Sequence, residues 1–96
     1  MNIVRLIIVK VDPSQAQNAK NIWKQYCAPI MIKEPGCVSE KLLSCTDDPG
    51  EFISYSEWQD EQSIEKYRTG KAHDEIKRHS DSLKSGRPVV KRYEIV

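Results

Sequence analysis

Histidine and cysteine side chains, which could do acid–base, redox or metal chemistry, are few and widely spaced in this 96-residue sequence. His73 and His79 are six residues apart, which places them on different faces of a helix, and no Cys/His pair has the spacing of metal ligands. Cys27, Cys37 and Cys45 form no Cys-x-x-Cys pair and are odd in number, so we expect reduced thiols that mainly pack. With an ordinary pKa of about 6.5, His73 could act as a base near neutral pH, as any histidine could.

Arg5 is unusual because it interrupts the apolar run from Ile3 to Val9. A buried arginine needs a partner, and we expect Arg5 to pair with one of three glutamates in a structural role. These are Glu40, Glu57 and Glu94.

The apolar run at the N-terminus is too short for a membrane span, because Arg5 and Lys10 interrupt it, and no signal-peptide cleavage region follows it. A cytoplasmic location is therefore the expectation.

Composition indicates an ordinary globular domain, with 39% hydrophobic and 30% charged residues and a net charge of +1. Acidic and basic residues are mixed along the chain, which argues against a nucleic-acid or anionic-membrane surface. The most basic stretch, Lys84 to Arg92, is interrupted by Gly86 and Pro88 and is interpreted as a solvated loop.

Periodicity and turn residues predict a single domain, 1–96, with the element order βαββααβ. The predicted strands are 3–11, 37–46, 51–58 and 89–96. The first predicted helix begins at Asp12 and Pro13, is kinked or shortened at Pro29, and ends at 34–36. A short helix begins near Asp60 and stops at Gly70, and another covers 71–83. This order predicts an α+β, ferredoxin-like fold with a four-stranded antiparallel sheet and helices on one face.

The predicted strands are apolar on both faces. In the third strand, Phe52 and Trp58 point one way while Ile53 and Tyr55 point the other, and the first strand alternates in the same manner. The helices of so short a chain can cover only one face of the sheet. We therefore expect a homodimer in which two copies cover each other's open sheet face.

Several motifs in order resemble the antibiotic biosynthesis monooxygenase family. They are Glu34-Pro35-Gly36-Cys37, Asp47-Asp48-Pro49, FISYSEW at 52–58, QDEQSIEKY at 59–67, Ala72-His73 and the closing Lys91-Arg92-Tyr93-Glu94. The likeness covers essentially the whole chain. Members are small dimeric α/β barrels, so the resemblance implies the same dimeric fold.

The resemblance also implies a chemistry without metal, flavin or other cofactor. In the family's enzymes, a phenolic or quinol-type substrate loses a proton in a hydrophobic cavity, passes an electron to dioxygen, and the two radicals recombine. Trp58 matches the family's cavity tryptophan and would bind the substrate together with Ser54, which shares its strand face. Tyr67 or His73 would handle the proton. Ser54 stands where some members have asparagine, and Ile64 where one pattern has tyrosine.

Other functions on the same scaffold remain open. Haem breakdown, which some relatives carry out, is not expected here. It needs an iron-ligating histidine whose position falls near Lys77, and His79 is rotated from that position by about 200° on a helix, so it cannot substitute. The missing asparagine partner for Trp58 favours a non-catalytic binding or structural module. An isomerase or a small-metabolite-degrading enzyme is the third alternative.

Overall fold

Four strands form one antiparallel sheet in the computed structural model, which describes residues 2–96. In chain order they are β1 (Ile3–Lys10), β2 (Cys37–Ser44), β3 (Glu51–Trp58) and β4 (Val89–Glu94). Their order across the sheet is β2-β3-β1-β4. The predicted ferredoxin-like α+β fold is confirmed, although β2 and β4 end two residues earlier than the predicted 37–46 and 89–96.

The first helical segment changes its winding along its length. A 3₁₀ turn (Pro13–Gln15) leads into α1 (Ala16–Ile22), a π-helical turn (Trp23–Cys27) and α2 (Ala28–Met31). The Asp12 carboxylate accepts a hydrogen bond from the Ser14 N–H at 2.9 Å and so caps the start. The wide π turn lies directly before Pro29, whose ring would crowd the carbonyl one turn back in a regular helix. The predicted disturbance at Pro29 is therefore a wider turn, and the helix continues to Met31.

Two further helices, α3 (Glu61–Arg68) and α4 (Lys71–Ser80), follow β3, and a 3₁₀ turn (Asp81–Leu83) extends α4. The Asp60 carboxylate accepts a hydrogen bond from the Ser63 N–H at 2.8 Å, so the predicted N-cap of α3 is confirmed. Gly36 has a φ of +87° and packs against α3 so closely that a Cβ there would lie 2.2 Å from Ser63 Oγ. Only glycine fits this position.

The core lies between the helices and one face of the sheet. Its least exposed large side chains are Trp58, Phe52, Ile64 and Cys27. Alternation along β1 sends Arg5 and Ile7 to this helix-facing side, where they lie opposite Ser56 and Ser54 of β3. The sheet thus presents two hydroxyls and one guanidinium to the helices.

The outer face of the sheet has no helix over it among residues 2–96. Ile8 of β1 lies opposite Ile53 and Val89, and Leu43 lies beyond Ile53, so an apolar row crosses all four strands. Leu43 is 43% exposed and Val89 is 49% exposed. In the described part of the chain, no helix combines the length and apolar composition needed to cross a membrane.

Candidate active site

Three of the four predicted site residues, Ser54, Tyr67 and His73, line one cavity of about 100 Å³ between the sheet and the helices. Ser54 comes from β3, Tyr67 from the last turn of α3, and His73 from the first turn of α4. Most of the remaining wall is apolar. The fold therefore brings these three residues, which are far apart in sequence, to one cavity.

Trp58, the fourth predicted residue, is fully buried and does not line this cavity. Its indole N–H donates a hydrogen bond to Ser56 Oγ at 2.9 Å. Its ring packs against Tyr67, with centroids 5.1 Å apart and planes tilted by 32°. Tyr67 in turn meets His73 edge-on, with centroids 5.1 Å apart. Trp58 thus does not contact the cavity directly; it packs against Tyr67, which does.

His73 and Tyr67 have different proton affinities because of their surroundings. Burial lowers the pKa of His73, the positive charges of Arg5, Lys77 and Arg68 lower it further, and Asp74 opposes them. Burial raises the pKa of Tyr67 far above its ordinary value, although the charge of Arg5 works against this shift. At neutral pH His73 is therefore an uncharged proton acceptor. Tyr67 is a neutral phenol, so its hydroxyl can donate a hydrogen bond but does not act as a base.

A second cavity of about 400 Å³ adjoins the first, and Ile7, His73, Lys77 and Lys84 line both. Its other walls include three arginines, Arg5, Arg68 and Arg92. The sequence analysis did not identify this cationic cavity. Its basic residues come from β1, α3, α4 and β4, and no segment of the chain carries the pattern by itself. Arg5 and Arg92 are neighbours only through the pairing of β1 with β4.

Arg5 does not form the predicted ion pair with Glu40, Glu57 or Glu94. Its side chain is buried, at 4% exposure, and its Nε and Nη1 atoms have no hydrogen-bond partner within residues 2–96. Glu57 lies opposite Val4 on the outer face of the sheet, while Glu40 lies on β2, beyond the intervening β3. Whether a glutamate can reach Arg5 thus depends on strand order and on the sheet face, and the local sequence pattern determines neither.

The π turn supplies two further cavity residues, Trp23 and Cys27, of which Cys27 was expected only to pack. Trp23 and Cys27 line the 100 Å³ cavity and a neighbouring apolar one of about 60 Å³. The Trp23 Nε1 atom is buried without a partner in the described chain. Burial raises the pKa of the Cys27 thiol to about 11, so it is uncharged at neutral pH.

Metal coordination finds no support in the side-chain arrangement. Among the residues that the structure describes, no group of three or more His, Cys, Asp or Glu side chains is placed to hold a metal ion. His79 lines neither cavity and instead stacks on Tyr26, with ring centroids 4.6 Å apart.

Comparison with known proteins identifies one family and a shared fold. A sequence model for antibiotic biosynthesis monooxygenase matches residues 2–79. A candidate antibiotic biosynthesis monooxygenase of Bordetella bronchiseptica superposes with a TM-score of 0.91 at 16% identity, covering 99% of this chain and 97% of the other. A similar candidate from Caulobacter crescentus gives 0.86 at 17%, covering 99% and 90%.

A conserved protein of Methanosarcina mazei also shares the fold, with a TM-score of 0.86 at 20% identity and coverage of 97% and 91%. At these identities the structural likeness shows the fold alone. No curated protein sequence matches the chain significantly. The family assignment therefore rests on the sequence model.

Proposed function

The chain belongs to the antibiotic biosynthesis monooxygenase family, and on that premise we propose that it oxidises a small aromatic or quinol-type substrate with dioxygen. The reaction takes place in the cavity between the sheet and the helices. The observation that supports this most directly is the meeting of Ser54, Tyr67 and His73 on one largely apolar space. A proton acceptor and two hydroxyl donors beside an apolar wall are what the chemistry requires.

The proposed reaction needs no cofactor, because the substrate itself supplies the electrons. His73 accepts the proton of a phenolic hydroxyl. The resulting anion passes one electron to dioxygen, which gives a substrate radical and superoxide. These recombine at a ring carbon that bears hydrogen, and the resulting peroxide takes the proton back from His73 to form a hydroperoxide. Loss of water from that carbon then leaves a carbonyl. One oxygen atom of dioxygen ends in the product and the other in water, so atoms and electrons balance.

Proton transfer to His73 is the demanding step. A phenol with a pKa of about 10 gives its proton to a histidine of about 6.5 at a cost of about 5 kcal/mol. The lowered pKa of His73 increases this cost. The anion must therefore be stabilised by its surroundings, and fixed charges are most effective where water is scarce. The cations of the adjoining cavity and the hydroxyls of Ser54 and Tyr67 provide that stabilisation.

Trp58 has a positioning role in this proposal. It is buried behind Tyr67. Instead of binding the substrate directly, as predicted, Trp58 would support the aromatic wall that the substrate meets. A direct contact between Trp58 and the substrate would require Tyr67 to move aside. A structure with a bound aromatic ligand distinguishes the two arrangements.

Oxygen uptake with hydroquinones and anthrone-like compounds tests the proposal. We expect at least one compound to be consumed faster than in the buffer control, with chelator-treated protein as active as untreated protein. His73→Gln should remove the activity, and His79→Gln should retain it, because His79 stacks on Tyr26 away from the cavity. Rates equal to the buffer control across the panel would refute the proposal.

A non-catalytic binding module is the second candidate, and one observation favours it. The apolar cavity of about 100 Å³ is smaller than the roughly 300–1,000 Å³ of most ligand sites. If aromatic ligands bind but oxygen is not consumed, this candidate replaces the first. Conversion of a ligand with oxygen excluded would instead indicate isomerase or degradative chemistry.

We further propose that the protein is a homodimer formed through the outer face of its sheet. The apolar row there, with Leu43 43% exposed and Val89 49% exposed, supports a second copy of the chain as the occupant. Sedimentation at micromolar concentration should give a dimer. Leu43→Lys should weaken it, whereas Ile32→Lys, which alters a side chain that is also 43% exposed but follows α2, should not. A wild-type monomer would contradict the proposal.

A cytoplasmic location is part of the same proposal. All three cysteines are free thiols. Burial raises the pKa values of Cys27 and Cys37 to about 11, so both are protonated at neutral pH. Unpaired cysteines are typical of reducing compartments. Cell fractionation tests the location, and recovery of the protein outside the cytoplasm would contradict it.

A further inference from the structure

The cavity of about 400 Å³ beside the candidate active site has an unusual charge. Its walls carry Arg5, Arg68, Lys77, Lys84 and Arg92, and within the described chain no aspartate or glutamate lines it. The protein as a whole has a net charge of only +1. The positive charge is therefore concentrated in one concave place, where it attracts anions.

Most of these cations already have a carboxylate partner on the protein surface. Arg92 pairs with Glu61 and Glu65, Arg68 with Glu65 at 2.9 Å, and Lys84 with Asp81 at 3.1 Å. Two cavity cations, Arg5 and Lys77, have no ion pair in the part of the chain that the structure describes. Glu40, whose Oε2 atom is also buried without a partner, lies on the same sheet face beyond Ser56 of β3 and forms no ion pair with Arg5. Arg5 is the more deeply placed of the two cations without an ion pair.

Arg5 is poorly suited to a structural role. It is 4% exposed, and two of its guanidinium nitrogens are buried without hydrogen bonds. An unpaired buried charge costs several kcal/mol. The second subunit of a dimer formed through the outer face would not reach Arg5, because Arg5 lies on the helix-facing side with Ile7. A bound anion can supply the missing counter-charge.

We propose that the substrate is an acidic aromatic compound whose carboxylate binds to Arg5, with Lys77 as a second positive charge. This inference rests on the proposed function and names the substrate class of the same site. A guanidinium donates paired hydrogen bonds that match the two oxygens of a carboxylate. The two cavities share Ile7 and His73, so a molecule held by Arg5 extends its ring towards Tyr67 and His73.

This arrangement also explains how the ring would be oriented for reaction. The carboxylate fixes one end of the substrate in the cationic cavity, and the phenolic hydroxyl is directed towards the uncharged His73. The same positive charges that bind the carboxylate favour the anion formed after proton transfer. A neutral quinol would lack the first interaction and bind in several orientations.

A matched pair of ligands tests the inference in the absence of oxygen. The probes are 1,4-dihydroxy-2-naphthoate and 1,4-dihydroxynaphthalene, which differ in the carboxylate, and binding is followed by calorimetry under argon. The wild-type protein should bind the carboxylate at least tenfold more tightly than the neutral quinol. Arg5→Gln should lose at least tenfold in affinity for the carboxylate and less than threefold for the neutral quinol.

Arg78→Gln is the control, because it removes the same charge from an exposed position of α4 that does not line the cavity. It should keep the wild-type preference. If Arg5→Gln does not fold, Arg5→Lys keeps the charge without the paired donors and should lose three- to tenfold for the carboxylate. Equal wild-type affinity for the two ligands, or equal weakening of both by Arg5→Gln, would overturn the inference.

The experiment separates this inference from the proposed function. Because binding is measured without oxygen, an Arg5-dependent carboxylate preference supports the inference even if oxygen is never consumed. If both quinols are oxidised with the same kcat/KM and Arg5→Gln leaves their ratio unchanged, the proposed function stands and the carboxylate inference is wrong.

Discussion

Replacing Arg5 with methionine should make the protein more stable. Methionine keeps an unbranched apolar stem of similar length but carries no charge, so the packing of the stem is largely retained. Breaking a buried ion pair costs about 3–5 kcal/mol, because a charge remains without compensation. Arg5 is already in that state, with Nε and Nη1 unpartnered and 4% of the residue exposed.

We expect Arg5→Met to raise the free energy of unfolding by about 1–3 kcal/mol. For a domain of this size, 1 kcal/mol corresponds to about 4–8 °C in Tm. Thermal unfolding should be compared at equal protomer concentration, since a dimer's Tm depends on concentration. Arg78→Met, at an exposed position of α4, should change stability by less than about 0.5 kcal/mol.

The same variant separates a structural arginine from a ligand-binding one. Saturation with 1,4-dihydroxy-2-naphthoate at about 100 times its Kd should stabilise the wild type by about 2.7 kcal/mol, and Arg5→Met by much less. Destabilisation of the unliganded Arg5→Met variant by more than about 1 kcal/mol would refute the reasoning. It would mean that Arg5 contributes favourable contacts to the folded state.

Three further predictions follow from the site and the fold. Trp58→Phe removes the hydrogen bond to Ser56, so the free energy of unfolding in urea should fall by about 1–3 kcal/mol. We expect kcat/KM to fall at least tenfold, and a variant with full activity would contradict the positioning role. Because the folded pKa of His73 is lowered, stability should decrease as pH falls below about 6.5, and kcat should decrease only at lower pH, as the folded pKa is reached. His73→Gln should lose the stability component, and equal pH–stability curves for the two proteins would argue against a partly buried neutral imidazole. Gly36→Ala should be destabilised by at least about 2 kcal/mol, since its Cβ would meet Ser63 and its φ is positive; a Tm equal to wild type would show that the turn relaxes freely.

The direction of the His73 effect follows from linkage. The unfolded chain has the ordinary histidine pKa of about 6.5, and the folded pKa is lower. On acidification the unfolded state therefore takes up the proton first, so stability is present above this range and is lost as pH falls towards the folded pKa. Burial is the main cause of the lowered folded pKa, and the charged groups that act on it are Arg5, Lys77, Arg68 and Asp74, with Tyr67 in direct ring contact.

Much of the fold could be predicted because its signals are local. The alternation at 51–58 predicted both ends of β3 correctly, and the capping side chain of Asp60 indicated the start of α3. Pro29 predicted a disturbance of the first helix but not its form. Whether the chain kinks, stops or widens its turn depends on the packing of the whole helix against the sheet.

The candidate site was predictable only in part. Alternation correctly placed Ser54 and Trp58 on the same face of β3, but it does not show how deeply each side chain is buried. Trp58 lies at the end of β3, where Tyr67 of α3 covers it, so the expected cavity wall is a buried support. Predicting that Arg5 would pair with none of the three glutamates required the strand order β2-β3-β1-β4, which no local pattern contains.

Anaerobic spectroscopy of the bound substrate tests the central claim most directly. Mixing the wild-type protein with 1,4-dihydroxy-2-naphthoate under argon should produce the absorbance of the phenolate anion, because His73 takes the proton and the cations hold the charge. Admission of oxygen should then remove that absorbance within turnover time. If the anion does not form in the wild type, or forms equally in His73→Gln, the account of proton transfer in this cavity is wrong.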